Sequence, residues 1–291
     1  MNPAWVTCGA AAVTAVAAAC GGFAVRGSTA VPASLWAVLA ALSLAGEAAA
    51  VAMGGLAEPA ERSAVRVVVV ALGVCPAMSL LGAKRPQHGV WQFIVVTLAC
   101  VLSMPAVTAV LVRPGSMPDL HLLERCFLPL LVVIGWLNFI ATQRSVAALL
   151  VAAGQVSLMW AFLPLVGDGE ALPSEVEAAF TCVLASGAVL AVVQAGWWPA
   201  ASRGARGPIP AIETPILALR ETLGAAWTLR VIERFNAVAI ERSWPCRLRF
   251  NGLSVDLAAQ DDRWEAEAVR CMRSLLRRFA SPAWIERNGG S

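Results

Sequence analysis

Long apolar runs separated by short polar connections fill the first two thirds of the chain, and the last third changes to the spacing of amphipathic helices. A membrane-crossing helix needs about 20 mostly apolar residues. Seven stretches meet that need: Ala4 to Val25, Ala33 to Gly55, Ala64 to Ala83, Val90 to Val112, Cys126 to Thr142, Ser145 to Val166 and Val176 to Trp198. Residues 199–212, with Gly204, Gly207 and Pro208, read as a linker. Residues 213–291 form the third region. There Thr214-Pro215 has the character of a helix start, with Thr as N-cap and Pro at the first helical position. Apolar residues at Leu219, Leu223, Trp227, Val231, Phe235 and Val238 predict one helix, ending near Trp244-Pro245. Arg247 to Val255 alternates around Asn251-Gly252, which predicts a short β-hairpin. A second helix is expected over Leu257 to Phe279, with acids at its start and arginines at its end, as the helix dipole favours. The expected fold is therefore an all-α integral membrane protein of about seven spans with a small helix–hairpin–helix C-terminal region. The core of that region looks thin, so it is expected to pack on a partner, on a second copy or on the membrane surface.

Composition agrees with this division. Only 14% of residues are charged, against about 25% in soluble domains. Residues 1–198 carry 8 of the 22 basic and 9 of the 19 acidic side chains, so the charge concentrates in the last third. The first span lacks the basic n-region of a signal peptide, because the first basic residue is Arg26; it is expected to stay uncleaved. Basic residues then set the orientation. With the N-terminus outside, the inner connections contain Arg26, Lys84, Arg85 and Arg144 and no acid, and Arg203 and Arg206 follow the last span. The expected location is the bacterial cytoplasmic membrane, with the C-terminal region in the cytoplasm.

Candidate chemistry is sparse. Glu47 lies in the second span, where a carboxylate is costly and marks either a functional site or a packing device. Arg66 could pair with it, and no second deeply placed acid is expected. Asn138, Gln155 and Gln194 lie within spans five, six and seven, either as hydrogen-bonding glue between helices or as part of a polar pocket with Glu47. His88 and His121 are assigned to opposite faces, so they share no metal site. The eight cysteines form no C-x-x-C pair. No nucleotide loop, zinc-protease motif or nucleophile elbow is present. The single lysine, Lys84, is in a connection, which excludes a retinal Schiff base. No cofactor and no metal is expected. A tail with 14 basic and 10 acidic residues and no recognised module argues against nucleic acid as a partner.

The segment Cys75 to Val95 has the densest run of distinctive residues. Pro76 predicts a kink, Gly82 and Pro86 a turn, Lys84 and Arg85 contact with lipid phosphates, and Trp91 an interfacial anchor. Through Cys-Pro…Leu-Gly-Ala-Lys-Arg-Pro-Gln…Trp-Gln-Phe-Ile-Val, the chain resembles an uncharacterised family of bacterial multi-span membrane proteins, a resemblance that implies no activity. The leading expectation is a non-enzymatic membrane scaffold or assembly component whose tail binds a partner or self-associates. The alternative is a small-solute or ion transporter using Glu47 and the amides.

Overall fold

The computed structural model describes residues 2–84, 88–164, 172–202, 208–255 and 263–289. Seven helices make the first part: α1 (Pro3–Ala24), α2 (Val31–Ala52), α3 (Pro59–Leu81), α4 (His88–Leu111), α5 (Leu122–Leu137), α6 (Ser145–Leu158) and α7 (Ser174–Ser202). A 3-10 turn, Trp160–Phe162, extends α6. Five of these, α1 to α4 and α7, contain stretches long and apolar enough to cross a membrane. Helices α5 and α6 are shorter, at 16 and 14 residues. The flank of α4 leaves Val90, Phe93, Val101, Val110 and Leu111 more than half exposed. Water tolerates so large an apolar patch poorly, whereas hydrocarbon accepts it.

Local chemistry explains the helix ends. Proline occupies the first turn of α1, α2 and α3, where its missing N–H has no helical role. Asn2 accepts a hydrogen bond from the Ala4 amide at 3.0 Å. His121 and Glu124 form a capping box at the start of α5, so this helix begins before the expected Cys126. It stops at Leu137, so Asn138 is a C-cap residue and not a mid-span amide.

Helices α1, α2, α3, α5, α6 and α7 form a ring in which each packs on the next, with α4 outside against α3. The connections α1–α2, α3–α4 and α5–α6 meet the C-terminal region at one end of this ring. That region is a cap built from α8 (Pro208–Leu223), α9 (Ala225–Glu241), β1 (Cys246–Arg249), β2 (Gly252–Val255), α10 (Arg263–Leu276) and α11 (Pro282–Gly289).

The cap differs from the single expected helix over residues 214–244. Helix α8 begins at Pro208, before Thr214, and Pro215 lies inside it. The rod breaks at Gly224, whose φ of 80° suits glycine, and a Cβ there would run into Asn138. The apolar stripe nevertheless keeps its expected register: Leu219, Leu223, Trp227, Val231 and Phe235 are all buried. Strands β1 and β2 pair antiparallel, with Arg249 opposite Gly252, so the two-residue turn is Phe250-Asn251, one residue before the expected one. Helix α10 covers Arg263–Leu276 of the expected Leu257 to Phe279, and Asp261 and Asp262 lie outside the described residues.

The cap core is not thin. It joins Ile212, Ile216, Phe235, Leu248, Met272 and Trp284 to Ala30 and Ala83 from the bundle in one buried cluster. Residues at the bundle's own end thus take part in the cap core. The cap is fastened there by backbone bonds from Thr29 N–H to Phe279 and from Ser281 N–H to Gly27, at 2.8 and 2.7 Å.

Candidate functional site

At the ring end away from the cap, Glu47 of α2 meets a compact ion-pair network. Arg62 and Arg66 stand four residues apart on α3, and so share one face. The Arg66 guanidinium donates to both Glu47 oxygens, at 2.8 and 2.9 Å from Nε. It also reaches Glu177 of α7 at 2.5 Å, and Arg62 meets the other Glu177 oxygen at 3.4 Å. The Glu47 side chain is 1% exposed and that of Glu177 12%. Two carboxylates and two guanidiniums thus balance in charge. The expectation of a single deep acid is corrected: Glu177 lies one residue inside the seventh apolar run and passes there for part of a span start. Bidentate charge-assisted bonds are what allow such a cluster to stay buried. They lock α2, α3 and α7 together. A cavity of about 590 Å³ opens beside the network, lined also by Arg125, Met117, Trp160 and Leu158.

The three amides go elsewhere. Asn138 serves the cap: its Nδ2 donates to the Leu223 carbonyl at 2.9 Å, and its Oδ1 accepts from the Ala226 amide at 3.0 Å. Its own carbonyl accepts from Ala225 N–H at 2.7 Å. One residue therefore satisfies both sides of the α8–α9 break. Gln155 of α6 donates to the Gly73 carbonyl at 2.7 Å, beside the α3 segment that Pro76 disrupts. Gln194 of α7 has a buried Oε1 without a hydrogen-bond partner. Glu47 lines its own cavity without the amides, and Asn138 and Gln155 share another, of about 220 Å³.

The end of α3 and the start of α4 form a socket for the cap. Trp91 folds over Gly82, where a Cβ would collide with its ring, and donates to the Met78 carbonyl at 2.7 Å. It is half-buried, so much of its ring is committed to α3. Gln92 links Trp36 of α2 and Ser79 of α3, at 3.1 and 3.0 Å. The Leu80 carbonyl accepts from Trp227 of the cap at 2.8 Å, and the Ala83 carbonyl accepts from the Thr29 hydroxyl. Lys84 follows α3 in the connection, as expected, and Arg85 lies outside the described residues.

Sequence reasoning also passed over the joint between α5–α6 and the cap. Glu221 of α8 is buried, bound to Arg220 at 2.9 Å and to the Gln143 amide. Arg220 donates onward to the Phe250 carbonyl at 3.0 Å. Burial pulls the neighbouring Arg144 guanidinium below its ordinary value, and the Glu221 carboxylate opposes that pull. Arg144 was legible only as a positive loop residue. Among the described residues no three His, Cys, Asp or Glu side chains gather as metal ligands, and the cysteines are free thiols. Comparison with protein-family models, with curated proteins and with solved structures gives no match.

Proposed function

We propose that the chain is a non-enzymatic, membrane-embedded platform that holds its cap rigidly against the cytoplasmic face and offers the cap's outer side to a protein partner. The observation that carries this reading is the buried cluster shared by cap and bundle. A tail that simply trailed from the last helix would need no such socket. Seven crossings fit the arrangement. Three connections and the end of α7 lie toward the cap, while residues of α2–α3, α4–α5 and α6–α7 line the cavity at the other end. Helices α5 and α6 are then short spans, α6 lengthened by its 3-10 turn. Arg26, Lys84 and Arg144 all belong to cap-side connections, which orients the cap inward by the positive-inside rule. On α9, Leu229 and Ile240 are 52% and 81% exposed and lie eleven residues apart, close to three full turns on one face. They are the apolar centre of a partner surface edged by Arg230 and Arg234, whose own environment is exposed.

The test is site-specific photocrosslinking in the full-length protein in native membranes. Probes at Leu229 and Ile240 should give one discrete adduct, absent from a probe at Thr97 on α4. No adduct, or the same adducts from all three positions, would defeat the platform reading.

A second reading, a small-solute or ion transporter, has one observation in its favour. Leu158 lines both the 590 Å³ cavity beside Glu47 and a cavity of about 340 Å³ inside the ring, so the two adjoin at this residue. Charge movement in proteoliposomes that vanishes in Glu47→Gln would favour transport over the platform.

A further inference from the structure

Three cavities meet at Arg144. One, of about 340 Å³, lies inside the ring among α1, α2, α3, α6 and α7. One, of about 220 Å³, lies between α3, α5 and α6. The third, also about 220 Å³, separates the bundle from the cap. The side chain of Arg144 lines all three. The first cavity exists because α1 and α2 present Ala17, Ala18, Gly21, Ala37 and Ala41 where larger residues would fill the ring. Its volume falls within the roughly 300–1,000 Å³ of small-molecule sites.

The cavities differ in character along the axis. The ring cavity is walled mainly by alanine, glycine, valine and leucine, with Gln155 already bound to Gly73. The joint cavity is more polar, with Gln143, Gln194, Thr222, Glu221 and Arg287 in its wall. Among the described residues the Arg144 guanidinium has no hydrogen-bond acceptor. The nearest carboxylate, Glu221, is engaged by Arg220 and the Gln143 amide. Its N–H donors belong to a half-buried charged group that lines these cavities, and so are free to take an acceptor there. On the same wall the buried Gln194 Oε1 calls for a donor. One ligand would answer both demands: an anionic head bearing a hydroxyl, attached to a single apolar chain.

We propose that the ring and cap together bind a single-chain anionic amphiphile of the lysophospholipid class. The phosphate sits on Arg144, the head hydroxyl donates to Gln194 Oε1, and the acyl chain extends into the alanine-lined cavity toward Leu158. An arginine fork suits a phosphodiester better than a lysine would, because it donates to two oxygens at once. The site requires a membrane-embedded bundle and is independent of whether the cap recruits a protein.

The experiment is native mass spectrometry of the full-length protein in a neutral detergent, with 1-palmitoyl-lysophosphatidylglycerol, 1-palmitoyl-lysophosphatidylcholine and palmitate as probes. The expected result is one lysophosphatidylglycerol per chain, held at least tenfold more tightly than lysophosphatidylcholine. Arg144→Gln should erase that preference, and Arg144→Lys should restore part of it. Gln194→Leu should narrow the difference between lysophosphatidylglycerol and palmitate, which lacks the hydroxyl. Ala191→Leu, which narrows the apolar cavities without touching charge, should weaken all three probes and serves as the test should Arg144→Gln fail to fold. Unchanged lysophosphatidylglycerol retention in Arg144→Gln, or in Ala191→Leu, would overturn the assignment. Displacement of the bound lipid by millimolar inorganic phosphate would do the same, since it would leave the acyl chain without a role.

Discussion

Replacing Arg66 by methionine should damage this protein far more than replacing either acid it serves. The guanidinium stands between Glu47 and Glu177, at 2.8 and 2.5 Å. Without it, Glu47 is left 1% exposed with no cation in contact, and Arg62 touches only Glu177. Removing one partner of a buried ion pair costs about 3–5 kcal/mol. Glu47→Gln is milder, because Arg66 keeps Glu177 and the glutamine oxygen still accepts one N–H. The loss is that of a charge-assisted bond, about 1.5–3 kcal/mol. The triple variant Glu47→Gln, Arg66→Met, Glu177→Gln removes every uncompensated charge of the triad but leaves Arg62 without its partner. As Arg62 is 43% exposed, the variant should recover most of the stability that Arg66→Met alone loses. The assay is equilibrium unfolding in mixed micelles, followed by the fluorescence of the eleven tryptophans. A difference of about 2 kcal/mol between Arg66→Met and Glu47→Gln corresponds to roughly a thirtyfold change in the unfolded fraction. Equal damage from the two single variants, or no recovery in the triple one, would refute the argument that the cation is the centre of the network.

The cap joint gives further expectations. Trp227→Phe keeps most of the buried ring but loses the bond to the Leu80 carbonyl, for about 0.5–1.5 kcal/mol, whereas Trp227→Ala should cost about 3–5 kcal/mol. Hydrogen exchange should then rise first in α8, α9 and residues 279–285, and a rise confined to α4 would contradict the docking. Asn138→Ala removes two side-chain bonds that span the α8–α9 break, about 1–3 kcal/mol together, and should raise exchange at Ala226. Gly224→Ala should destabilise the same joint, because an L side chain is strained at φ 80° and would press on Asn138. Burial pushes the Cys246 thiol up to about 11 from an ordinary 9.0, so its thiolate is disfavoured in the folded chain. Alkylation of Cys246 at pH 8 should therefore run about a hundredfold slower than in the unfolded chain, and should accelerate as pH rises toward 11. Equal rates at pH 8 would show that the thiol is not shielded.

The long helices were readable because an apolar run of some twenty residues has few other uses. The run expected from Ala33 to Gly55 is α2 at Val31–Ala52, and that from Val90 to Val112 is α4 at His88–Leu111. The start of α5 was less readable, because its N-cap is His121 and not one of the Ser, Thr, Asp or Asn residues that mark a helix start. The break at Gly224 was not readable from local pattern, since the apolar stripe runs through it without interruption. Its cause is Asn138, 86 positions earlier, which supplies the hydrogen bonds that two helix ends need. Helix α11 escaped notice for a similar reason. It has only eight residues, and the burial of Trp284 comes from contact with the cap and bundle ends.

The polar residues teach a different lesson about reading a membrane chain. Rarity in an apolar run correctly marked Glu47, Asn138, Gln155 and Gln194 as positions with a reason to exist, but rarity is silent about what that reason is. Three of them turned out to be partnered: Glu47 by a cation one helix away, Gln155 by a backbone carbonyl beside a proline, and Asn138 by a helix break. A satisfied polar group is explained by packing. The residue that keeps an unmet demand is Gln194, the last of the four along the chain, and it shares a cavity wall with Arg144. Neither the orphaned oxygen nor the arginine's lack of an acceptor is visible until the cap is laid over the ring. That is why the joint, and not the intramembrane acid, is the place to look for a ligand.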